Sequence, residues 1–264
     1  MQLKNARVIV TGASQGIGRA IAVEFARRGA RLALASRNRP ALEELAASIK
    51  AEGGTAVVIA TDVTAEGAAK QMADAAIREL GGIDILVNNA GQGMSASIGD
   101  ASATDVQALF GLNVLAAAAA IRAVIPVMRA QGSGMIINIS SMAGRVVIPR
   151  IGYYSASKFA LTAIGDALRM EESHRGIKVM NVFPGTTVSN FGQNRLGTRG
   201  RQAHQVLPPV PAARVARRIA QAVGRNQRSV YISWFPDRAG LALNWFAGWA
   251  VSGVLGWWAR RAQT

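Results

Sequence analysis

The regular structure of the chain begins with Arg7-Val8-Ile9-Val10-Thr11-Gly12-Ala13-Ser14-Gln15-Gly16-Ile17-Gly18. The apolar run to Thr11 predicts a buried strand, and the pattern that follows Gly18 predicts a helix through Arg28. Glycines between a strand and a helix let the backbone approach a ligand while free N–H groups point at it, which suits a phosphate. A second strand at 31–36 completes one βαβ unit. We therefore predict a phosphate-binding turn made by Gly12, Ser14, Gln15, Gly16, Ile17 and Gly18.

The end of the second predicted strand distinguishes two classes of dinucleotide. A ribose with two free hydroxyls is commonly held by an acidic residue there, whereas a 2′-phosphate calls for a cation. The sequence at this point is Ser36-Arg37-Asn38-Arg39, without an acid. We therefore predict NADP(H) as the cofactor, with Arg37 at the 2′-phosphate and Ser36 as a further donor. The alternative is that Arg37 is a solvated loop residue.

The alternation of strands and helices continues to residue 232. Apolar runs predict further strands at 56–60, 83–87, 135–139, 178–183 and 229–232, and helical patterns between them include a long one over 104–129. Such alternation is typical of an α/β fold with a parallel sheet. We predict a Rossmann-like, doubly wound parallel sheet of about seven strands with helices on both faces, in a single domain over residues 1–238.

Polar and small residues follow several predicted strands, at the sheet edge where open α/β sheets bind ligands. Asp62 follows the third strand and is placed to contact an adenine edge. Asn88-Asn89-Ala90-Gly91 follows the fourth, where small residues leave room for ribose and nicotinamide, with a purely structural strand cap as the alternative. The predicted cofactor contacts at this edge are Asp62, Val63, Asn89, Ala90, Gly91, Pro184, Gly185 and Thr187.

A tyrosine and a lysine, Tyr154 and Lys158, lie four residues apart at the start of a predicted helix, so they share one face. A free phenol has a pKa of about 10, and a nearby ammonium favours the phenolate, which brings the group toward useful proton transfer. Ser141 follows the apolar run 135–139 and can present a hydroxyl where that strand ends. We predict that the three side chains converge on an acid/base site. The alternative is an ordinary amphipathic helix.

These motifs occur together and in order. Thr11-Gly12-x-x-x-Gly16-x-Gly18, Asn88-Asn89-Ala90-Gly91, Asn113, Ser141, Tyr154-x-x-x-Lys158 and Pro184-Gly185 closely resemble the short-chain dehydrogenase/reductase family over about residues 5–235. The resemblance implies a sheet order of 3-2-1-4-5-6-7 and reversible hydride transfer between a nicotinamide and a carbonyl or alcohol carbon. It also implies that Tyr154 is the acid/base, that Lys158 lowers its pKa and binds the nicotinamide ribose, that Ser141 orients the substrate oxygen, and that Asn113 holds a water that relays protons to Lys158.

Residues 186–211 lose periodicity after the sixth predicted strand, so we predict a substrate lid there. We expect an NADPH-dependent carbonyl reductase or hydroxy-compound dehydrogenase for a lipophilic ketone of steroid or retinoid type. The alternatives are a 3-oxoacyl-carrier-protein reductase and, in another class, a non-catalytic NADP(H) sensor or membrane-docked scaffold. The expected partners are a small-molecule carbonyl or alcohol and further copies of the chain, in a homodimer or homotetramer.

The net charge is +15, and after Glu172 the only acid in the sequence is Asp237. Such a field attracts a phosphorylated cofactor, an acidic carrier protein, anionic lipid or, non-specifically, nucleic acid, and a solvated basic surface is the alternative. We predict no specific nucleic-acid partner. The chain has no cysteine, and its two histidines, His174 and His204, stand alone, so we expect no metal site. The N-terminus lacks a signal-peptide pattern, which predicts a cytoplasmic protein.

Residues 239–264 form an apolar tail, and from Ala239 to Ala259 none is charged. The stretch is nearly long enough to cross a bilayer, but glycines and polar residues dilute it. We expect an interfacial anchor at 239–261, with tryptophans at headgroup depth and arginines on anionic phosphates. This would place the protein peripherally on an anionic membrane. The alternative is that the tail packs on its own domain or across a dimer.

Overall fold

The computed structural model of the chain describes residues 1–188, 190–192, 194–197 and 209–233. The apolar tail, 239–264, and half of the predicted lid lie outside these residues. The predictions of an anchor and of a complete lid over 186–211 therefore stay predictions.

Seven strands form one parallel sheet. They are β1 (Arg7–Thr11), β2 (Arg31–Ser36), β3 (Thr55–Ala60), β4 (Ile85–Asn88), β5 (Gly134–Ile139), β6 (Ile177–Pro184) and, after two short strands β7 (Thr187–Val188) and β8 (Val210–Pro211), β9 (Ser229–Ile232). The order across the sheet is β3-β2-β1-β4-β5-β6-β9, which is 3-2-1-4-5-6-7 when only its own strands are counted. The predicted fold class and strand order are confirmed. The short strands β7 and β8 pair with each other.

Helices lie between the strands. They are α1 (Gly16–Arg27), α2 (Arg39–Ala51), α3 (Ala68–Leu80), α4 (Ala103–Phe110), α5 (Ala117–Gln131), α6 (Gly152–Glu172) and α7 (Ala212–Gly224). The helix predicted over 104–129 is thus two α-helices joined by a π-helical segment, Gly111–Ala116. Single π turns inside α-helices commonly mark functional sites, and this one contains Asn113.

The two faces of the sheet have separate apolar cores because side chains alternate along each strand. In β1, Val8 and Val10 belong to one core together with residues of α1, α2 and α7. Ile9 belongs to the other core, together with residues of α3, α5 and α6. This double cover explains why the strands are near-continuous apolar runs in the sequence.

The largest difference from a predicted strand boundary is at the start of the fourth strand, and the other boundaries agree within one residue. The apolar run suggested that the fourth strand begins at Ile83, but β4 begins at Ile85. The backbone of Ile83 bonds the side chain of Gln131 instead, accepting from its Nε2 at 2.8 Å. The carboxylate of Asp84 in turn accepts from the backbone N–H and the Nε of Arg7, each at 2.8 Å. The backbone of Asp84 still bonds both neighbouring strands, donating to the oxygen of Arg7 and accepting from the N–H of Met135. The side chain of Gln131 therefore replaces the strand partners of Ile83 alone.

The chain from Ala103 to Gln131 is long and apolar enough to cross a membrane, with a mean hydropathy of 2.0 in its most apolar window. Half of that window is buried inside the protein. Core helices of soluble proteins meet the same criterion, so this segment is weak evidence for a membrane span. This finding applies to the described residues, which do not include the tail, 239–264.

Candidate active site

The glycine-rich turn adopts a backbone that other residues rarely adopt. Gly12 and Gly16 have φ angles of 65° and 58°, in the left-handed region. A Cβ atom on Gly18 would lie 2.3 Å from the carbonyl oxygen of Gly12 and 2.4 Å from Nδ2 of Asn89. The turn is therefore closed tightly on the end of β1, and the start of α1 faces the open edge of the sheet, as a phosphate cradle requires.

A cleft of about 1090 Å³ runs along the carboxyl ends of the strands. It crosses the place where the strand order reverses between β1 and β4, which is the usual ligand site of open α/β sheets. The predicted site residues that line it are Gly12, Ser14, Gln15, Gly16, Ile17, Ser36, Arg37, Asp62, Val63, Asn89, Ala90, Gly91, Ser141, Tyr154, Lys158, Pro184, Gly185 and Thr187. The structure thus brings these residues together. Two others, Gly18 and Asn113, lie behind this lining, where they support it.

One end of the cleft contains Arg37 and Asp62, whose nearest charged atoms are 3.8 Å apart. Oδ1 of Asp62 accepts from the hydroxyl of Thr64 at 2.7 Å and from its N–H at 3.0 Å. These bonds, with a smaller contribution from Arg37, lower the pKa of Asp62 despite its partial burial. The side chain of Arg37 is 76% exposed, so its guanidinium remains accessible to a ligand.

The amide of Asn89 joins the ends of β1 and β4. Its Nδ2 donates to the backbone oxygens of Thr11 and Gly12, at 2.9 and 3.1 Å. The hydroxyl of Thr11 accepts from the N–H groups of Asn89 and Ala90, at 3.0 and 3.1 Å, and donates to the oxygen of Val87. Asn89 therefore holds the glycine-rich turn in place, and its backbone, next to Ala90 and Gly91, lines the cleft.

Ser141 and Tyr154 form a hydrogen-bonded pair at the other end of the cleft. Oγ of Ser141 accepts from the N–H of Ala143 at 3.1 Å, which leaves its own proton free to be donated. Burial raises the pKa of Tyr154, while the hydrogen bond with Ser141 and the charge of Arg195 lower it. The raised pKa suits the phenol to act as an acid, beside a hydroxyl that can stabilise its conjugate base.

Lys158 is buried, with 4% of its surface exposed. Its Nζ donates to the backbone oxygen of Ile139 at 3.0 Å and lies 5.9 Å from the ring centroid of Tyr154. Burial lowers the pKa of Lys158 to about 8. We expected Lys158 to lower the pKa of Tyr154, but the groups that do so in this structure are Ser141 and Arg195. That role of Lys158 stays a prediction.

Asn113 in the π-helical segment fixes the loop that follows β4. Its Oδ1 accepts from the N–H of Gln92 at 2.9 Å, and its Nδ2 donates to the oxygen of Gln92 at 2.9 Å. Nδ2 also donates to Oγ of Ser157 at 3.0 Å, which ties the loop to α6. A Cβ on Gly91 would lie 2.9 Å from Oδ1 of Asn113 and 3.4 Å from Nζ of Lys158. The amide thus has neighbours as partners, and the proton relay through it stays a prediction.

Sequence reasoning did not assign the wall beside Ser141 and Tyr154. It is mainly apolar, and its residues are Ala108, Leu112, Met142, Val146, Ile148, Ile151 and Phe191. The signal available in the sequence was the apolar run Val146-Val147-Ile148, which lies between Ser141 and Tyr154 without belonging to a strand. The ring of Phe191 meets that of Tyr154 edge-on, with 6.0 Å between centroids.

Comparison with known proteins agrees with this geometry. The family model described as short chain dehydrogenase matches residues 6–199. Dehydrogenase/reductase SDR family member 7B of Mus musculus is 34% identical over 241 residues, which cover 88% of this chain and 75% of that protein. Glycine betaine reductase ATRR of Emericella nidulans is 39% identical over 183 residues, which are 69% of this chain but 14% of that much longer protein.

A solved structure has the same fold. It is a short-chain dehydrogenase/reductase from Burkholderia phymatum in complex with NAD, 25% identical, and the match covers 88% of this chain and 90% of that one with a TM-score of 0.80. Together, the matched residues, the sheet order and the cleft show that the chain belongs to the short-chain dehydrogenase/reductase family of NAD(P)-dependent oxidoreductases, which act on alcohol and carbonyl groups.

Proposed function

We propose that this oxidoreductase uses NADP(H) and transfers a hydride between the nicotinamide and a lipophilic ketone or the corresponding secondary alcohol. The observation that supports it most directly is that Arg37 lines one end of the cleft whose other end contains Ser141, Tyr154 and Lys158. The end of β2 has the sequence Ser36-Arg37-Asn38, without a carboxylate for a free 2′-hydroxyl. A 2′-phosphate would form charge-assisted hydrogen bonds with Arg37.

The residues present fit such a cofactor. The close packing of Gly18 against Gly12 leaves no room for a side chain, so backbone N–H groups at the start of α1 are open to a diphosphate. Ser36 and Arg37 would hold the adenosine end, and Ala90 and Gly91 would leave space for the nicotinamide ribose beside Lys158. A bound nicotinamide supplies the hydride for reduction or accepts it in the reverse direction.

The side chains of the site account for the proton chemistry. In reduction, Tyr154 donates its proton to the carbonyl oxygen, while the Ser141 hydroxyl hydrogen bonds to the same oxygen. The product is the alcohol, and Tyr154 remains as a phenolate, which takes a proton back from solvent before the next turnover. Lys158, with a pKa of about 8, is mainly an ammonium at neutral pH and stabilises that phenolate.

The apolar wall supports a lipophilic substrate. Met142, Val146, Ile148 and Ile151 follow Ser141 in sequence and line the cleft next to Tyr154. A ligand that covers these side chains gains binding free energy from the hydrophobic effect, about 25 cal/mol per Å² of apolar surface removed from water. A large apolar ketone would cover this wall, whereas a small polar carbonyl compound would leave its apolar side chains exposed to water.

A 3-oxoacyl group on an acidic carrier is the second candidate. The observation in its favour is a set of exposed arginines on and after α7, namely Arg214, Arg217, Arg218, Arg225 and Arg228. Such a surface attracts an acidic carrier protein through long-range electrostatics. A neutral lipophilic ketone offers no negative charge for these arginines to attract.

The test is NADPH consumption against ketones of steroid, retinoid and simple aromatic type, and against 3-oxoacyl thioesters with and without a carrier protein. We expect turnover with the lipophilic ketones. Turnover on carrier-bound thioesters alone would favour the second candidate. Tight NADPH binding without turnover on any carbonyl or alcohol would overturn the proposal and favour a sensor.

A further inference from the structure

Arg195 lies near Tyr154, on the segment that follows β7. The residue is exposed and lines the same cleft as Tyr154 and Phe191. Its charge is close enough to the phenol to lower the pKa of Tyr154. A cation therefore adjoins the point where the reacting oxygen must lie.

The backbone holds Arg195 at this point. The next residue, Leu196, forms a parallel bridge with Met94, accepts from the N–H of Ser95 at 3.0 Å and donates to the oxygen of Gly93 at 2.9 Å. Arg195 and Phe191 cover Gly93 closely, since a Cβ there would lie 3.1 Å from Cγ of Arg195 and 3.1 Å from Cε1 of Phe191. The absence of a side chain at Gly93 is what lets the arginine approach.

The half of the cleft that contains Tyr154 has cations and no carboxylate among its described lining residues. Among the described residues that line it, the cations are Arg37, Lys158 and Arg195, and the one carboxylate is that of Asp62. Asp62 bonds Thr64 and lies beside Arg37, at the end predicted for adenosine. None of the ion pairs found within the described parts of the chain includes Arg195. The half of the cleft around Tyr154 therefore has an apolar wall and a cation that a ligand's anion can neutralise.

We propose that Arg195 determines specificity by binding an anionic group, most simply a carboxylate, on the same molecule as the reacting carbonyl. The preferred substrate class then narrows from lipophilic ketones in general to apolar keto acids, or the corresponding hydroxy acids, with neutral ketones as poorer substrates. This inference rests on the proposed function, because it names the substrate of that same site. A carboxylate and a guanidinium form two parallel charge-assisted hydrogen bonds, which a neutral ester cannot reproduce.

The first test compares an aromatic keto acid with its methyl ester, 3-benzoylpropanoate and methyl 3-benzoylpropanoate, in the parent enzyme and in Arg195→Gln and Arg195→Lys. We expect the parent to prefer the acid by about ten- to a hundredfold in kcat/KM. Arg195→Gln should abolish this preference, and Arg195→Lys should retain part of it. Both substrates use the same phenol, so a change in the pKa of Tyr154 cancels in the ratio. Arg122→Gln, an exposed arginine on α5, should leave the ratio at the parent value.

The second measurement does not depend on turnover. Calorimetry with the NADP⁺-loaded protein should show tighter binding of 4-phenylbutanoate than of 4-phenylbutanamide, and this difference should disappear in Arg195→Gln. An acid-to-ester ratio near one in the parent would overturn the inference. So would an unchanged ratio in Arg195→Gln with weakened NADPH binding, since Arg195 would then contact the cofactor's phosphates. If no ketone is reduced but 4-phenylbutanoate is still selected in an Arg195-dependent way, the proposed function and the keto-acid substrate fail, while the binding of a carboxylate by Arg195 stands.

Discussion

Nζ of Lys158 donates a 3.0 Å hydrogen bond to the backbone oxygen of Ile139, and both residues are buried. Burial lowers the pKa of Lys158 from 10.5 to about 8. Between these two pH values the unfolded chain binds a proton that the folded chain has released. The free energy of unfolding should therefore rise with pH across this window, and Lys158 should reduce it most below pH 8.

Chemical denaturation of Lys158→Met at several pH values should reveal how the protonation of Lys158 contributes to the free energy of unfolding. Relative to the parent, the variant's free energy of unfolding should fall by about 2 kcal/mol between pH 7.5 and 9.5, because the parent loses the penalty of burying a charge. The lost bond to Ile139 adds an offset that does not vary with pH. Lys50→Met, at an exposed lysine of α2, should show no such change. A difference between Lys158→Met and the parent that is constant with pH would contradict the buried-ammonium description.

Tyr154→Phe should reduce turnover by about 10²–10⁴-fold, the usual contribution of a general acid/base. The substitution removes the phenol oxygen and leaves the ring that meets Phe191, so NADPH affinity and stability should stay near the parent values. Steady-state rates, fluorescence titration of NADPH and thermal denaturation measure the three quantities.

The neighbouring tyrosine supplies the control. Tyr153→Phe removes a hydroxyl that only donates weakly, at 3.4 Å, to the oxygen of Ile98. Its turnover should remain within a few-fold of the parent. Equal rates for Tyr154→Phe and the parent would show that another group provides the proton.

Arg37→Gln should weaken NADPH binding by about ten- to a hundredfold and leave NADH binding nearly unchanged, because a charge-assisted bond to a phosphate contributes roughly 1.5–3 kcal/mol. Arg37→Asp should go further and discriminate against NADPH by repulsion, although the new carboxylate also faces Asp62. Isothermal titration of both cofactors gives the ratio of affinities.

Arg39→Gln is the matched control for the adenosine end. Arg39 lies two residues away and pairs with Glu43 at 3.4 Å, so its loss should not change the NADPH-to-NADH ratio. A parent that binds NADH and NADPH equally well would refute the assignment of Arg37.

Deletion of residues 239–264 tests the predicted anchor. We expect the parent to float with anionic liposomes and the truncated protein to remain in solution. Light scattering should give both proteins the same number of subunits. Unchanged flotation together with a halved mass would instead place the tail in a dimer interface.

The sequence predicted most of what depends on neighbours along the chain. Seven apolar runs became the seven strands of the sheet, and the spacing of Tyr154 and Lys158 placed both on one cleft. The errors arose where distant residues intervened. The side chain of Gln131 bonds both backbone groups of Ile83, which therefore does not belong to β4. No residue near Ile83 in the sequence indicates this contact.

The sequence did not predict the π-helical segment or the position of Arg195, because both also depend on contacts with residues that are distant in the chain. Asn113 is unusual in an apolar helix, but its partners Gln92 and Ser157 lie 21 and 44 residues away. Arg195 is one of three arginines in the stretch 186–211, which has no periodicity. The bridge between Met94 and Leu196, with its backbone hydrogen bonds, brings it to Tyr154. Local patterns predict elements, whereas such long-range contacts decide which side chains meet.

The side chain of Asn113 both donates to and accepts from the backbone of Gln92, as the next strand of a sheet would. The loop after β4 is thereby hydrogen bonded to the π-helical segment. It cannot shift without breaking the two hydrogen bonds between Asn113 and Gln92. The loop is thus held by the π-helical segment and α6, whereas the facing residues, 190–192 and 194–197, act on the reacting group through Arg195, which lowers the pKa of Tyr154. Exchange of these facing residues should therefore change the choice of substrate and, at Arg195, also the pH dependence of Tyr154, while the loop after β4 stays in place.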